Sequence, residues 1–292
     1  MAQMRVIKRR IRSIDNTKQI TKTMEMVAAA KIRKAQQNIE SARPYAMDMI
    51  EVLGKVADGA GDVSHPLLDV HEPMKRAVVV CLSSDRGLCG AFNANVIRQA
   101  EDVVRREREQ GREVSMLTVG KKGQSYFRYV GYEFFESYRD FSDNPGYEHA
   151  RSIAEKLMNA YITREIDKVV LVFNHFKSAV EQNVVEHTLL PIKSEAAGTG
   201  AERPTGGYVF EPSAAQVLES LLPAYVRTLV YRALLESAAS EHGARRTAMK
   251  NASDNAVDII AQLTRTFNRV RQAQITQEIS EIVGGAEAQG GK

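Results

Sequence analysis

Tryptophan is absent from this 292-residue chain, and aromatic residues make up only 7% of it. So thin a supply suits long helices better than one large globular core, since aromatics carry much of the buried area of such cores. Only two cysteines occur, Cys81 and Cys89. They form no CxxC pair and no metal spacing, which argues against a disulfide and fits a reducing compartment. No window reaches the roughly 18 consecutive apolar residues of a membrane span. The N-terminus has no apolar signal core, so export is not expected. The histidines (His65, His71, His149, His175, His187 and His242) show neither HxxH nor HExxH spacing, and no metal is expected. No serine or cysteine sits in a GxSxG elbow. These absences leave an enzymatic site without positive support: no catalytic residue and no cofactor is expected.

What is present is asymmetric. The hydrophobic fraction of 43% is ordinary and the net charge is +4, but the charge is concentrated. Met1 to Lys34 holds ten basic residues (Arg5, Lys8, Arg9, Arg10, Arg12, Lys18, Lys22, Lys31, Arg33 and Lys34) against Asp15 and Glu25. The rest of the chain is therefore net negative. A concentrated positive field implies an acidic partner: nucleic acid, lipid headgroups or an acidic protein surface.

Three segments follow from the hydrophobic period. From Ala2 to Asp58, apolar or small residues recur at Ile7, Ile11, Ile14, Thr21, Met24, Ala28, Ile32, Ala35, Ile39, Ala42, Met49 and Leu53. Steps of mostly three and four place them on one helical stripe, interrupted at Lys18 and slipped at Met24. Pro44 is expected to kink this helix, and the DGAGD stretch from Asp58 ends it. At 1.5 Å per residue the helix is roughly 85 Å long. In the middle, strand-like runs such as RAVVVCL from Arg76 and EVSMLTVG from Glu113 alternate with helical patterns. That alternation implies βαβ units and a mainly parallel sheet. The segment from Lys193 to Gly207 reads as a polar linker.

Ser213 and Gln216 then form a capping-box pattern that opens a second long helix. Pro223 and Gly243 are its only strong breakers before Gly284 and Gly285 supply a stop. Met249, Ala252, Ala256, Ile259, Leu263, Thr266, Val270 and Ala273 step along it as a coiled-coil seam does. Its length is roughly 105 Å, far beyond a middle domain some 30 to 40 Å across. The nearest surface of matching length is the other long helix. Both spring from the same domain, so they pair antiparallel, and unless Pro223 breaks the longer one, part of its end is expected to project alone. The expected fold is thus α/β plus long helices: an antiparallel coiled coil of N- and C-terminal helices with a central Rossmann-like α/β domain. Its parts are 1–59 (N-terminal coiled-coil helix), 75–192 (α/β domain), 193–207 (linker) and 208–285 (C-terminal coiled-coil helix).

SSDRGLCGAF, from Ser83 to Phe92, has the strand–turn–helix layout of a phosphate loop but offers only GxxG, with no GK[ST] and no GxGxxG. It reads as a tight βα turn, and TVGKKGQS reads the same way. The basic run RVIKRRIR lacks interleaved aromatics and a surrounding recognition module, which disfavours nucleic acid. A coiled-coil nucleic-acid-binding protein and a dinucleotide enzyme on the middle domain remain the competing readings. Both leave the long C-terminal helix without a purpose.

Four stretches in order, NTKQITKTMEMVAAAK, SSDRGLCGAFNANV, GARRTAMKNASDNA and RQAQITQEISEIVGGAEA, closely resemble the signature stretches of the gamma subunit of F-type ATP synthase. The resemblance implies a central rotor shaft that couples proton-driven rotation to ATP synthesis and carries no catalytic residue of its own. The implied partners are the alpha, beta and epsilon subunits and the c ring. The implied place is the cytoplasmic face of the bacterial inner membrane, reached only through the complex. Carried over by position, Met24 faces the acidic loops of the beta subunits, and Arg271, Gln272, Thr276 and Glu278 form the upper contact with beta. Tyr208 falls near the contact with the c ring. The cysteine-containing regulatory insert of chloroplast members has no counterpart here, so no thiol switch is expected.

Overall fold

The computed structural model describes residues 2–60, 65–178, 181–192 and 213–290. In chain order the elements are α1 (Ala2–Ala60), β1 (Arg76–Leu82), α2 (Phe92–Glu109), β2 (Glu113–Val119), α3 (Lys121–Val130), β3 (Phe134–Tyr138), α4 (Tyr147–Ile162), β4 (Lys168–Phe176), β5 (Gln182–Leu190) and α5 (Ala214–Gly290). The chain divides into two compact units, one of residues Ala28–Arg245 and one of Met1–Val27 with Arg246–Lys292.

The first unit is built on a five-stranded sheet of order β3-β2-β1-β4-β5. Its first four strands are parallel, and β5 runs antiparallel to β4 at one edge. The β1 sequence RAVVVCL explains its central place. A strand covered on both faces needs no polar alternation, and every residue after Arg76 is buried. Alternate residues face opposite ways. Ala77, Val79 and Cys81 pack with Val96, Ala100 and Val103 of α2 and Phe127 of α3. Val78, Val80 and Leu82 pack with Ile153 and Leu157 of α4, Leu222 and Val226 of α5, and Leu53 of α1. The sheet is thus sandwiched between two helical layers, one of which includes the stretches of α1 and α5 that belong to this unit.

The second unit is a helix pair. On α1 the buried or half-buried positions include Met4, Ile7, Ile11, Ile14, Lys18 and Thr21; on α5 they include Met249, Ser253, Ala256, Ile260, Leu263, Phe267, Val270 and Gln274. Both sets step by alternating three and four, the spacing of a two-stranded seam. A 2.6 Å hydrogen bond between the hydroxyls of Thr21 and Ser253 fixes the register. Counting antiparallel from that bond sets Ile14 level with Ile260, Ile7 with Phe267 and Met4 with Val270. Burial on α5 runs out after Gln274, close to where the antiparallel partner ends at Ala2, and residues 275–286 are all exposed. The expected lone helical end is therefore present.

Three details differ from expectation. On α5 the alternating burial follows Ser253, Ile260, Phe267 and Gln274; of the expected Ala252, Ile259, Thr266 and Ala273, Ala252 and Thr266 are half-buried at the edge of the seam, while Ile259 and Ala273 are exposed. Both series share Met249, Ala256, Leu263 and Val270, and periodicity alone does not choose between them; the partner does. Ile259 is 43% exposed. Lys18 does not break the α1 stripe: its stem is half-buried while its ammonium reaches Asp15 at 2.9 Å. Finally, Gly284 and Gly285 do not stop α5, which continues to Gly290. Glycine lowers helix stability by about 1 kcal/mol yet keeps its N–H, so it is a breaker only where another conformation is better satisfied. Pro44 and Pro223 both lie within continuous helices. The segment 193–207 and the start of the span 208–285 fall outside the described residues.

The corrected seam separates two adjacent isoleucines. Ile260→Ala should destabilise the full chain by about 2 kcal/mol, while Ile259→Ala should stay within about 0.5 kcal/mol of the parent, measured by urea unfolding followed by circular dichroism.

Candidate functional site

Open α/β sheets bind ligands in the crevice beyond the carboxyl ends of the strands, where the strand order reverses. Here that point lies between β1 and β4. It is filled by α5. Ser237 donates its hydroxyl weakly to the Leu82 carbonyl at the end of β1 (3.5 Å), and Ser240 to the Asn174 carbonyl of β4 (3.1 Å). Residues 233–243 of this helix are buried on every side.

The two glycine-containing turns flank that crevice and satisfy each other. The backbone N–H groups of Lys121, Lys122 and Gly123 at the start of α3 are the donors a phosphate would use. They are bonded to the Asp85 carboxylate (3.0 Å), the Ser84 carbonyl (3.0 Å) and the Ser83 hydroxyl (2.9 Å). Gly120 permits this closure with φ of +96°, since a Cβ there would lie 2.3 Å from the Ser83 carbonyl oxygen. Ser84 is held in turn by Asn93, whose side-chain oxygen accepts its backbone N–H at 2.9 Å. Burial alone would raise the Asp85 carboxyl, but N–H donors from Asp140, Ser142 and Lys121 hold it below its usual range.

Above these turns lies a polar joint that the sequence did not single out. The Arg245 guanidinium reaches Glu241 at 2.6 Å and the carbonyls of Gly87 and Arg86 at 3.3 and 3.5 Å. It also donates from Nη1 to His242 Nδ1 at 3.3 Å. His242 Nε2 donates to the Asp143 carbonyl at 3.0 Å, and the Asp143 carboxylate accepts Lys31 of α1 at 2.5 Å. Ser142 links Asp85, whose N–H it accepts at 2.8 Å, to Glu241, to which its hydroxyl donates at 3.4 Å. α5 is thereby fastened to the β1–α2 and β3–α4 loops, and α1 to the β3–α4 loop. Burial pushes the Glu241 carboxyl up in spite of Arg245. Lys31 holds Asp143 down. Cys81 and Cys89 are buried free thiols, and burial pushes Cys81 up to about 12 and Cys89 also upward. Their sulfurs therefore stay protonated at neutral pH.

The residues singled out from the sequence lie in the helix pair. Met24 is half-buried beside the Lys22–Glu25 ion pair (3.0 Å), next to exposed Met26 and Val27. Arg271, Gln272, Thr276 and Glu278 are exposed on α5. Thr276 donates its hydroxyl to the Gln272 carbonyl at 3.0 Å, and Glu278 accepts from Gln274 at 3.2 Å. In the antiparallel register Arg271 is level with Gln3, so this group stands about 30 Å along the coil from Met24. The structure makes two separate bands of them rather than one cluster. Tyr208 lies outside the described residues. Among the described residues no group of acidic, histidine and cysteine side chains is arranged to hold a metal ion, and no helix is long and apolar enough to cross a membrane.

A mixed sheet whose ligand crevice is filled by one of two long paired helices defines a class. Residues 3–289 match the ATP synthase family. Relatives named ATP synthase gamma chain include those of Pelotomaculum thermopropionicum, 49% identical over 99% of both chains, and Heliobacterium modesticaldum, 48% identical over 99% of this chain and all of its relative. That of Mycolicibacterium smegmatis is 44% identical over 99% of each. Among solved structures, the central stalk and c ring of the Tetrahymena thermophila mitochondrial ATP synthase contains a chain 29% identical to this one, with a TM-score of 0.58, covering 80% of this chain and 99% of that one. A chain of the Euglena gracilis mitochondrial ATP synthase shares the fold, with a TM-score of 0.72 at 21% identity over 99% and 95% of the two chains. The chain belongs to the ATP synthase gamma chain family.

The interlocked turns depend on Gly120. Gly120→Ala forces a side chain into a positive φ and against backbone, and should cost about 3 kcal/mol, read as a lowered urea midpoint at unchanged m-value.

Proposed function

We propose that this chain is the central rotor shaft of an F-type ATP synthase, coupling proton-driven rotation of a c ring to ATP synthesis and hydrolysis at sites on the beta subunits. It contributes no catalytic group itself. The observation that carries this reading is a full-length kinship to gamma chains together with a helix pair whose longer member ends bare, with Ile275, Ile279, Ile282 and Val283 facing out. Apolar side chains on a lone helix call for a surrounding surface, and the alpha and beta subunits are the occupants this reading assigns. Epsilon and the c ring engage the α/β domain and the lower coil, with Tyr208 near the ring. The chain sits peripherally on the cytoplasmic face of the bacterial membrane, held there only through the complex. Family membership decides against the nucleic-acid reading.

A shaft turning past three chemically identical sites must present different faces to each without locking into one. The exposed basic residues of α1, among them Arg5, Lys8, Arg9, Arg10 and Arg12, suit long-range attraction to acidic loops, which is less dependent on orientation than interlocking packing. Met24 and the band of Arg271, Gln272, Thr276 and Glu278 are the proposed contacts with beta. The coiled-coil helices 1–59 and 208–285 and the domain 75–192 are the proposed working parts.

A tagged chain expressed in its own host should copurify alpha, beta and epsilon subunits, identified by mass spectrometry; recovery without them sinks the assignment. Met24→Lys adds a cation at the contact and should lower the protons pumped per ATP hydrolysed in membrane vesicles, while Met24→Leu should retain the ratio. Equal ratios in Met24→Lys and wild type would remove Met24 from the contact.

A further inference from the structure

The joint between α5 and the sheet leaves its histidine one place to accept a proton, and that place is taken. A carbonyl oxygen can only accept, so His242 Nε2 carries the hydrogen that it donates to Asp143 O at 3.0 Å. A guanidinium can only donate, so Nδ1 must hold a lone pair facing Arg245 Nη1 at 3.3 Å. The imidazole is therefore locked as the neutral Nε2–H tautomer by its two neighbours. Protonating Nδ1 would set an N–H against an N–H and a cation against Arg245, with Lys31 nearby. Arg245 is also the residue whose guanidinium reaches the Gly87 and Arg86 carbonyls, so whatever displaces it removes the bonds that α5 makes to the β1–α2 turn.

We propose that His242 is an acid-labile pin: its protonation unseats Arg245 and loosens the attachment of α5 to the β1–α2 and β3–α4 loops. The groups around it are Glu241 and Arg245 on α5, Asp143 on the β3–α4 loop, Lys31 on α1 and, beyond Glu241, Asp85 on the β1–α2 loop. Burial lowers His242 from the ordinary 6.5 to about 4, and Arg245 and Lys31 add to that against Asp143. The unfolded chain thus takes up the proton first as pH falls. The contribution of His242 to stability is whole above pH 6.5 and is lost progressively between about 6.5 and 4. Glu241, pushed upward, acts in the opposite sense, and Asp143 and Asp85, held down, titrate below this window. A comparison at fixed pH between wild type and a variant lacking only the imidazole isolates the histidine. In an ATP synthase the consequence is a looser seat for residues 233–245 of α5 on the α/β domain under acid. That consequence rests on the rotor reading, whereas the titration does not.

His242→Gln cannot titrate, while its amide can still donate to Asp143 O. In urea unfolding of the full chain, moving from pH 7.5 to 5.5 should lower the folding equilibrium constant of wild type about tenfold more than that of His242→Gln. Equal pH dependence in the two proteins overturns the proposal, whether or not the chain assembles with partners. Should the variant fail to fold, hydrogen exchange on wild type gives the answer. After correction for the intrinsic rate, opening of residues 84–91 should rise severalfold on the same shift, and unchanged opening overturns the proposal equally.

Discussion

A helix can be buried on every side only if each polar group it carries finds a partner, because an unsatisfied buried polar group costs more than most contacts return. Residues 233–243 of α5 impose that condition on their surroundings. Glu236, Ser237, Ser240, Glu241 and His242 are each buried within this stretch, and each takes a partner from the α/β domain or from α5 itself. Glu236 meets His175 at 2.5 Å and Arg232 at 2.7 Å. The helix thus acts as the missing ligand of its own sheet. What would be a nucleotide crevice in a doubly wound enzyme is here the socket of a long helix, and the glycine turns that would cradle phosphate are spent on each other.

The fold was legible where the period of the sequence carried the information. The unbroken β-branched run of β1, the alternation of strands and helices, and the two long stripes each follow from burial on a fixed face. The choice between Ile259 and Ile260 was not legible, since two seams share every second member and only the position of α1 decides. Lys18 misled for a related reason: a charged head hides the apolar stem beneath it. The glycines at 284 and 285 misled because a stop signal works only when something else satisfies the freed groups.

The candidate site divides the same way. Met24, Arg271, Gln272, Thr276 and Glu278 are proposed through resemblance alone, and they lie on exposed or half-buried faces of the coil. The joint of Lys31, Asp143, Glu241, His242 and Arg245 was not legible, because its members are up to 214 residues apart in a chain whose local pattern around them is simply helical. One trace was available. ESAASEHGARR is a helical stretch with polar residues on every side and small ones between, which fits neither a solvated surface nor a one-sided stripe.

The bare end of α5 carries a different kind of information. Isolated helices of a dozen or so residues are marginal in water, and residues 275–286 are exposed throughout. The seam with α1 reaches them only at its last member, Gln274. Order at this tip therefore reports what encloses it: slow amide exchange there is a signature of the housed molecule, and rapid exchange marks the molecule alone.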